Sequence, residues 1–338
     1  MSHEIETAMY VRTPAWHGLG TVLQHSPTIA EALQAAGLDW RVGLERLCLP
    51  DGTAVDRWGV VRDSDRRVLG TVGKGFRTVQ NPDALGWFQP FLDGGLVDLE
   101  AAGSLRKGAR VWVLAKVRNH GHDKATIIDG DDVANYLLLA HGHDGSLAIH
   151  LGVTPTRVVC QNTLSAAVGE RSSLRIRHTS GAADAMLAAR ETIDRVNGKF
   201  DKACEVFRAL AGKYLRSGQQ IRDYIDAVFP QPKGIVAPIS QPAGVDAMAL
   251  MSELRGESSE VAAQDDDKRR IYSDIESLLE TGAGTEIPGV KGTAWGAYNA
   301  VTEFITHERG RNADNRLNTA WFGPEGDRAI QGAIDTFL

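Results

Sequence analysis

The chain has 338 residues, 43% of them hydrophobic, with a formal net charge of −6 and a pI of about 5.9. This length and hydrophobic share predict a soluble globular protein with one large domain and a smaller one, and the acidic balance removes any overall attraction for nucleic acid or an anionic membrane, so such contacts require a local basic patch. Three cysteines, Cys48, Cys160 and Cys204, are too few and too scattered for a disulfide framework or a four-ligand zinc site; with no signal-type N-terminus and no apolar run of about 18 residues, they point to a cytoplasmic protein with no membrane partner.

In chain order, residues 1–30 read as an irregular lead-in in which Pro14-Ala-Trp-His-Gly-Leu-Gly20 docks an arm, followed by a short helix from Ile29 to Gly37 capped by Thr28. Apolar runs Trp40 to Leu49, Arg57 to Arg62 and Val68 to Val72, separated by Pro50-Asp-Gly-Thr53 and Ser64-Asp-Arg-Arg67, predict a β-meander. Asn81-Pro82-Asp83 predicts a helix start with Asn81 as N-cap, and Gly94-Gly95 predicts its end. Strands are expected at Leu96 to Ala102, Ala109 to Val117, Ala125 to Ile128, Ala134 to Ala140 and Leu147 to Val153, with Gly103-Ser-Leu-Arg-Lys-Gly108 and Asp144-Gly145 as turns. A short helix from Thr163 to Val168, capped by Asn162, should follow.

Met186, Ala189, Ile193, Val196, Phe200, Ala203, Phe207, Leu210 and Tyr214 recur at alternating spacings of three and four, a sustained heptad stripe. It predicts a long helix lying on the sheet, on a later helix, or on a neighbouring subunit. Pro230, Pro232, Pro238 and Pro242 crowd a linker at 229–243. From Asp246 to Glu286 eleven acidic residues face Arg255, Lys268, Arg269 and Arg270 on a mostly helical segment with a solvated acidic face. Thr293 should cap an amphipathic helix presenting Trp295, Tyr298, Val301 and Ile305, and Asp327 to Phe337 a terminal one. The expected class is α+β, with curved antiparallel sheets packed with helices in a core of residues 1–228 and a helical segment at 244–338.

Chemistry is carried by basic residues more than by catalytic motifs. Between Arg157 and Arg216 eleven basic residues face six acidic ones. Arg171, Arg175 and Arg177 fall on a possible extended strand, where alternate residues share a face and grip successive phosphates. With Arg157, with Arg106 and Lys107 on the hairpin turn, and with the loop Gly73-Lys-Gly-Phe-Arg77, they compose a groove in which Arg77 adds charge and Phe76 stacks on bases. The ordinary alternative is that these arginines pair with surface carboxylates.

Cys160 invites a nucleophile reading with His178 or His143 as base, but a cysteine closing an apolar strand is more often a small buried hydrophobe. His120-Gly-His122-Asp123 and His141-Gly-His143-Asp144 repeat one tetrapeptide, and each histidine pair shares a strand face where a metal could sit. No carboxylate or cysteine completes either pair in sequence, so neither a metal nor a cofactor is expected. Gly70-Thr-Val-Gly-Lys-Gly75 lacks the Lys-Ser/Thr ending of a phosphate-binding loop and reads as a turn.

Several segments occur together in one family: Trp16-His-Gly-Leu-Gly20, Gly73-Lys-Gly-Phe-Arg-Thr-Val-Gln-Asn81, Gly103-Ser-Leu with Val111-Trp-Val-Leu-Ala-Lys116, His143-Asp-Gly-Ser146, Arg157-Val-Val-Cys-Gln-Asn-Thr-Leu164, Ile176-Arg-His-Thr179 and Gly292-Thr-Ala-Trp-Gly-Ala-Tyr-Asn-Ala300. Together they resemble the phage/plasmid-like protein family, domain of unknown function 932. The resemblance implies a gene of bacterial viruses, plasmids or integrated elements, working in the host cytosol, with no established reaction and no agreed catalytic residues. By looser analogy, a sheet followed by a helix, with a basic hairpin and self-association, is similar to the single-strand annealing proteins of phage recombination. The leading expectation is therefore a non-enzymatic homo-oligomer that binds and anneals single-stranded DNA. A module that captures a host protein through its acidic segment, and a Cys- or metal-dependent hydrolase or nuclease, are the alternatives.

Overall fold

The computed structural model describes residues 7–12, 20–118, 121–147, 150–159, 182–230, 266–309 and 323–338. Its α+β architecture is built on a seven-stranded sheet comprising β1 (Thr7–Val11), β2 (Thr21–Leu23), β6 (Val97–Leu105), β7 (Arg110–Val117), β8 (Lys124–Ile128), β9 (Asp131–Gly142) and β10 (His150–Arg157). The order is β10-β9-β7-β6-β1-β2, antiparallel except for the parallel pair β1 and β2. Strand β9 is long enough to pair with β7 through residues 136–142 and with β8 through residues 131–134, while β10 runs along its other edge. A separate three-stranded sheet, β3 (Val42–Cys48), β4 (Ala54–Arg62) and β5 (Val68–Val72), is the expected meander.

Side-chain alternation assigns the faces of the large sheet. Val111, Val113 and Ala115 of β7 and Leu137 and Leu139 of β9 point to one side, where they bury against the small sheet, α1 (Ile29–Ala35), α2 (Asn81–Gly86) and α3 (Gln89–Asp93). Trp112, Leu114, Leu138 and Ala140 point to the other side with Tyr10 and are also buried. A strand buried on both faces reads as a nearly continuous apolar run, which is why β7 was legible.

Thr28 caps α1 as expected, in a capping box with Glu31. Asn81 does not cap α2. The N-cap is Gln80, Asn81 is the first helical residue, and its buried amide is spent on long-range partners instead. The predicted single helix up to Gly94 is two short ones, interrupted at Trp87 and Phe88.

The heptad stripe forms α4 (Ala182–Ala211), 30 residues or about 45 Å long. Ile193 and Val196 belong to the core above the large sheet, and Phe200, Ala203, Phe207 and Leu210 enter a second core. Partners there come from α5 (Gly218–Val228), a helix α6 covering residues 266–281, α7 (Ala294–Glu303) with a π-helical turn (Phe304–Glu308), and α8 (Pro324–Phe337). The long helix thus packs on sheet and later helices of its own chain. Thr293 caps α7, and Trp295, Tyr298, Val301 and Ile305 are all buried. Tyr214 departs from the stripe: α4 stops at Ala211, and Tyr214 is 77% exposed. The expected helix at Thr163 to Val168, the proposed strand at Arg171 to His178 and the linker from residue 231 onward lie outside the described residues. Among the described residues no helix is long and apolar enough to cross a membrane.

Candidate nucleic-acid interface

Three turns meet at the end of the large sheet where β9 finishes. The first is the β6–β7 turn, Arg106 to Ala109, closed by the Ala109 amide donating to the Arg106 carbonyl at 3.1 Å. Arg106, Lys107 and Gly108 have φ of 52°, 57° and 88°. Glycine or asparagine normally occupies such left-handed positions, so two long basic residues there carry a backbone cost of about 1 kcal/mol or more each. The second is the β9–β10 turn at Asp144-Gly145-Ser146, where the Asp144 carboxylate accepts from the Ser146 amide and hydroxyl. The third is the loop after β5, Gly73 to Arg77, folded back by the Phe76 amide on the Gly73 carbonyl.

The middle turn ties the other two together. The His143 amide donates to the Ala109 carbonyl at 2.7 Å, and Arg110 Nη2 donates to Ser146 Oγ at 2.9 Å. On the other side Gly70 lies so close to Asp144 that a Cβ at residue 70 would be 2.4 Å from the Asp144 Cα, and Gly145 lies over Val72 and the Phe76 ring. Glycine is required at residue 70 by this approach of two backbones.

Beneath the middle turn lies a buried histidine pair. His141 near the end of β9 and His143 just beyond it bring their rings together, nearly perpendicular with centroids 4.8 Å apart. His143 Nε2 is 2.9 Å from Asn81 Oδ1, while Asn81 Nδ2 donates to the Leu38 carbonyl, so Oδ1 accepts and His143 carries its proton on Nε2. The ring also packs against Trp40, which lies under the Arg62 guanidinium. His141 is 1% exposed and neither of its ring nitrogens has a hydrogen-bond partner. Burial pushes His141 down to about 3, with His143 adding to the effect. His143 is pushed down to about 4, by burial first, with Asp144 opposing and the Arg62 charge reinforcing. Both rings are therefore neutral near pH 7.

The predicted site residues are divided by the structure. Arg77 and Lys107 are exposed on two of the three joined turns, as is Lys74, and no carboxylate lies within ion-pair distance of any of them among the described residues. Arg106 is exposed on the same turn as Lys107. Phe76 is half-buried against the core, so its ring is anchored, with only part of its surface open.

Arg157 is a correction. It is 1% exposed at the far end of the sheet, ion-paired to Asp131 at 2.7 Å and bonded to the Ala283 carbonyl, and it cannot reach a phosphate in the folded protein. Arg171, Arg175, Arg177, Cys160 and His178 lie outside the described residues. The two histidine tetrapeptides have unlike fates: the second is the buried pair, while His122 of the first is at the surface beside Asp201 at 3.1 Å and His120 lies outside the described residues. Among the described residues no three His, Cys, Asp or Glu side chains converge as metal ligands.

The part of the site that sequence reasoning missed is the linkage through Ala109, His143 and Ser146. Its one sequence signal is the pair of segments Arg106 to Arg110 and His143 to Ser146 lying at the ends of paired strands, visible only once the β7–β9 register is known.

No curated protein and no solved structure matches this chain. A family model does match, over residues 68–321, an interval that begins at β5, includes all three turns and extends past α7. The chain belongs to the family described as domain of unknown function DUF932.

Proposed function

We propose that the protein binds single-stranded DNA at the three-turn end of its large sheet and, as a homo-oligomer of a phage or mobile element, promotes strand annealing without covalent chemistry. The observation that carries this reading is the mounting of Lys74, Arg77 and Lys107, cations with no carboxylate partner among the described residues, on turns joined by main-chain contacts. Such cations hold phosphates without reading sequence, because the backbone contacts position and the bases remain free to pair. The left-handed Arg106 and Lys107 support the same reading, since backbone strain of this kind clusters at functional sites. Annealing needs two strands presented together, which self-association of the chain supplies.

The test is fluorescence anisotropy of a labelled oligo-dT at rising salt. Binding should weaken with a slope of about −0.7 per phosphate held. Arg77→Glu with Lys107→Glu should weaken binding and flatten that slope. No binding at micromolar protein in low salt overturns the reading. Binding that leaves the rate of pairing between complementary strands unchanged removes annealing and the oligomeric arrangement with it.

A further inference from the structure

Tyr214 continues the spacing of the α4 stripe yet is 77% exposed, while the other exposed large hydrophobics among the described residues reach at most 52%. It sits in the short connection between α4 and α5, and its backbone is fixed. Tyr214 forms a β-bridge with Thr293, the Leu215 amide donates to the Gly292 carbonyl at 2.9 Å, and the Ala294 amide donates to the Lys213 carbonyl at 2.8 Å. Thr293 is itself held as the N-cap of α7, accepting from the Gly296 amide. The Arg216 amide is bonded to Gln220 Oε1. An aromatic ring thus projects into solvent from a clamped backbone.

Lys213 and Arg216 flank it, both exposed, and among the described residues neither has a carboxylate within ion-pair distance. The nearby Lys291 is already paired with Glu280. A planar apolar face between two uncompensated cations is complementary to a ligand that offers planar apolar rings between anions. Single-stranded nucleic acid is such a ligand. A duplex hides its base faces in the stack, and an acidic peptide brings charge without rings at every step.

We infer that Lys213, Tyr214 and Arg216 form a second single-strand contact point, Tyr214 stacking on a base while the two cations hold the flanking phosphates. This rests on the nucleic-acid reading of the three-turn end and adds to it a stacking platform remote from that end. The sheet separates the two. The α7 N-cap segment lies on the helical layer that meets Asp131 at the start of β9, and the basic tip lies at Gly142, its end. The twelve residues of β9 between those two ends span roughly 40 Å.

The experiment compares full-length wild type, Tyr214→Ala, Tyr214→Phe and Lys213→Glu/Arg216→Glu in oligo-dT anisotropy, together with photocrosslinking to an oligonucleotide bearing 5-iodouracil. Tyr214→Ala should weaken binding roughly 5- to 150-fold, the range expected for one lost base stack, and Tyr214→Phe should stay near wild type. The charge-reversed variant should reduce the salt slope by about 1.4. The crosslink should map to the peptide containing Tyr214. Tyr214 fills no core position, so urea midpoints should match wild type and separate lost contact from lost fold. If wild type binds but all variants bind equally, this inference fails and the three-turn reading stands. If wild type does not bind, the three-turn reading fails and this one with it. A Tyr214→Ala protein that differs from wild type in sedimentation without DNA assigns the patch to self-association and also overturns the inference.

Discussion

Asp131 and Arg157 form a fully buried ion pair, 0% and 1% exposed, joining the first residue of β9 to the last residue of β10. Arg157 Nε and Nη2 both donate to the carboxylate, and Trp295 Nε1 donates to the same Oδ2 at 2.8 Å. Arg157 also donates to the Ala283 and Gly284 carbonyls, so this single guanidinium connects the sheet to the helical layer. An arginine that appears in sequence as part of a basic cluster is here a strut between layers.

Removing one partner of this pair should be far costlier than removing both. Arg157→Met leaves a buried carboxylate with Trp295 as its remaining donor and should cost about 3–5 kcal/mol in urea unfolding. Arg157→Met with Asp131→Asn should recover a large part of that loss. Additive losses in the double variant would show that the two residues do not act as a pair.

The histidine pair should make the fold acid-sensitive well above the range where carboxylates titrate. Both pKa values are depressed in the folded state, from 6.5 to about 3 for His141 and to about 4 for His143, so the unfolded chain takes up protons first. Their stabilising effect is complete above pH 6.5 and is lost progressively as the pH falls, down to about 4 for His143 and about 3 for His141. At pH 5 the loss is about 2 kcal/mol per histidine. Urea midpoints across this range should fall steeply for wild type and about half as steeply for His141→Leu. An unchanged slope in His141→Leu would remove His141 from this account. At pH 7 that substitution should cost little or stabilise, because the ring nitrogens it deletes have no partners.

Gly70→Ala should be destabilising although residue 70 lies in an ordinary strand. The new methyl would meet the Asp144 Cα at 2.4 Å, and two backbones must separate to admit it. A loss of about 1–3 kcal/mol is expected, accompanied by weaker oligo-dT binding because the β9–β10 turn ties the two basic turns together. Gly43→Ala is the control, since nothing lies within 4 Å of its added carbon. Equal midpoints for the two variants would contradict the close approach.

Stability and binding should move in opposite directions at the basic tip. Lys107→Gly relieves a left-handed residue at φ 57° and should raise stability by about 1 kcal/mol. It also deletes a proposed phosphate contact, so oligo-dT affinity should fall. A variant that is both more stable and equally tight in binding would detach the strain from the proposed function.

Much of the scaffold is legible from residue pattern. The apolar run in β9, the Asp144-Gly145 turn, the Thr28 and Thr293 caps and the buried stripe from Ile193 to Leu210 all depend on neighbours within a few positions. Tyr214 shows how a periodic argument overruns: the stripe continues in spacing, but Gly212 follows the last helical residue, and a glycine there is an ordinary helix stop. Asn81 shows the opposite failure. Its local context, before Pro82, suits an N-cap, but Leu38 and His143 claim its amide from distant parts of the chain.

Sequence alone was therefore enough for the α+β class, the family kinship, most strands and the identity of the basic residues, since these follow from short-range periodicity, turn chemistry and composition. Which basic residues stand free was decided only by the tertiary structure. Arg157 is neutralised by Asp131, 26 positions away, while Arg77 and Lys107 are brought to one end of the sheet by a third turn. A charge's availability depends on where its counter-charge lies in space, and that distance is set by strand register and layer packing, which no local pattern encodes.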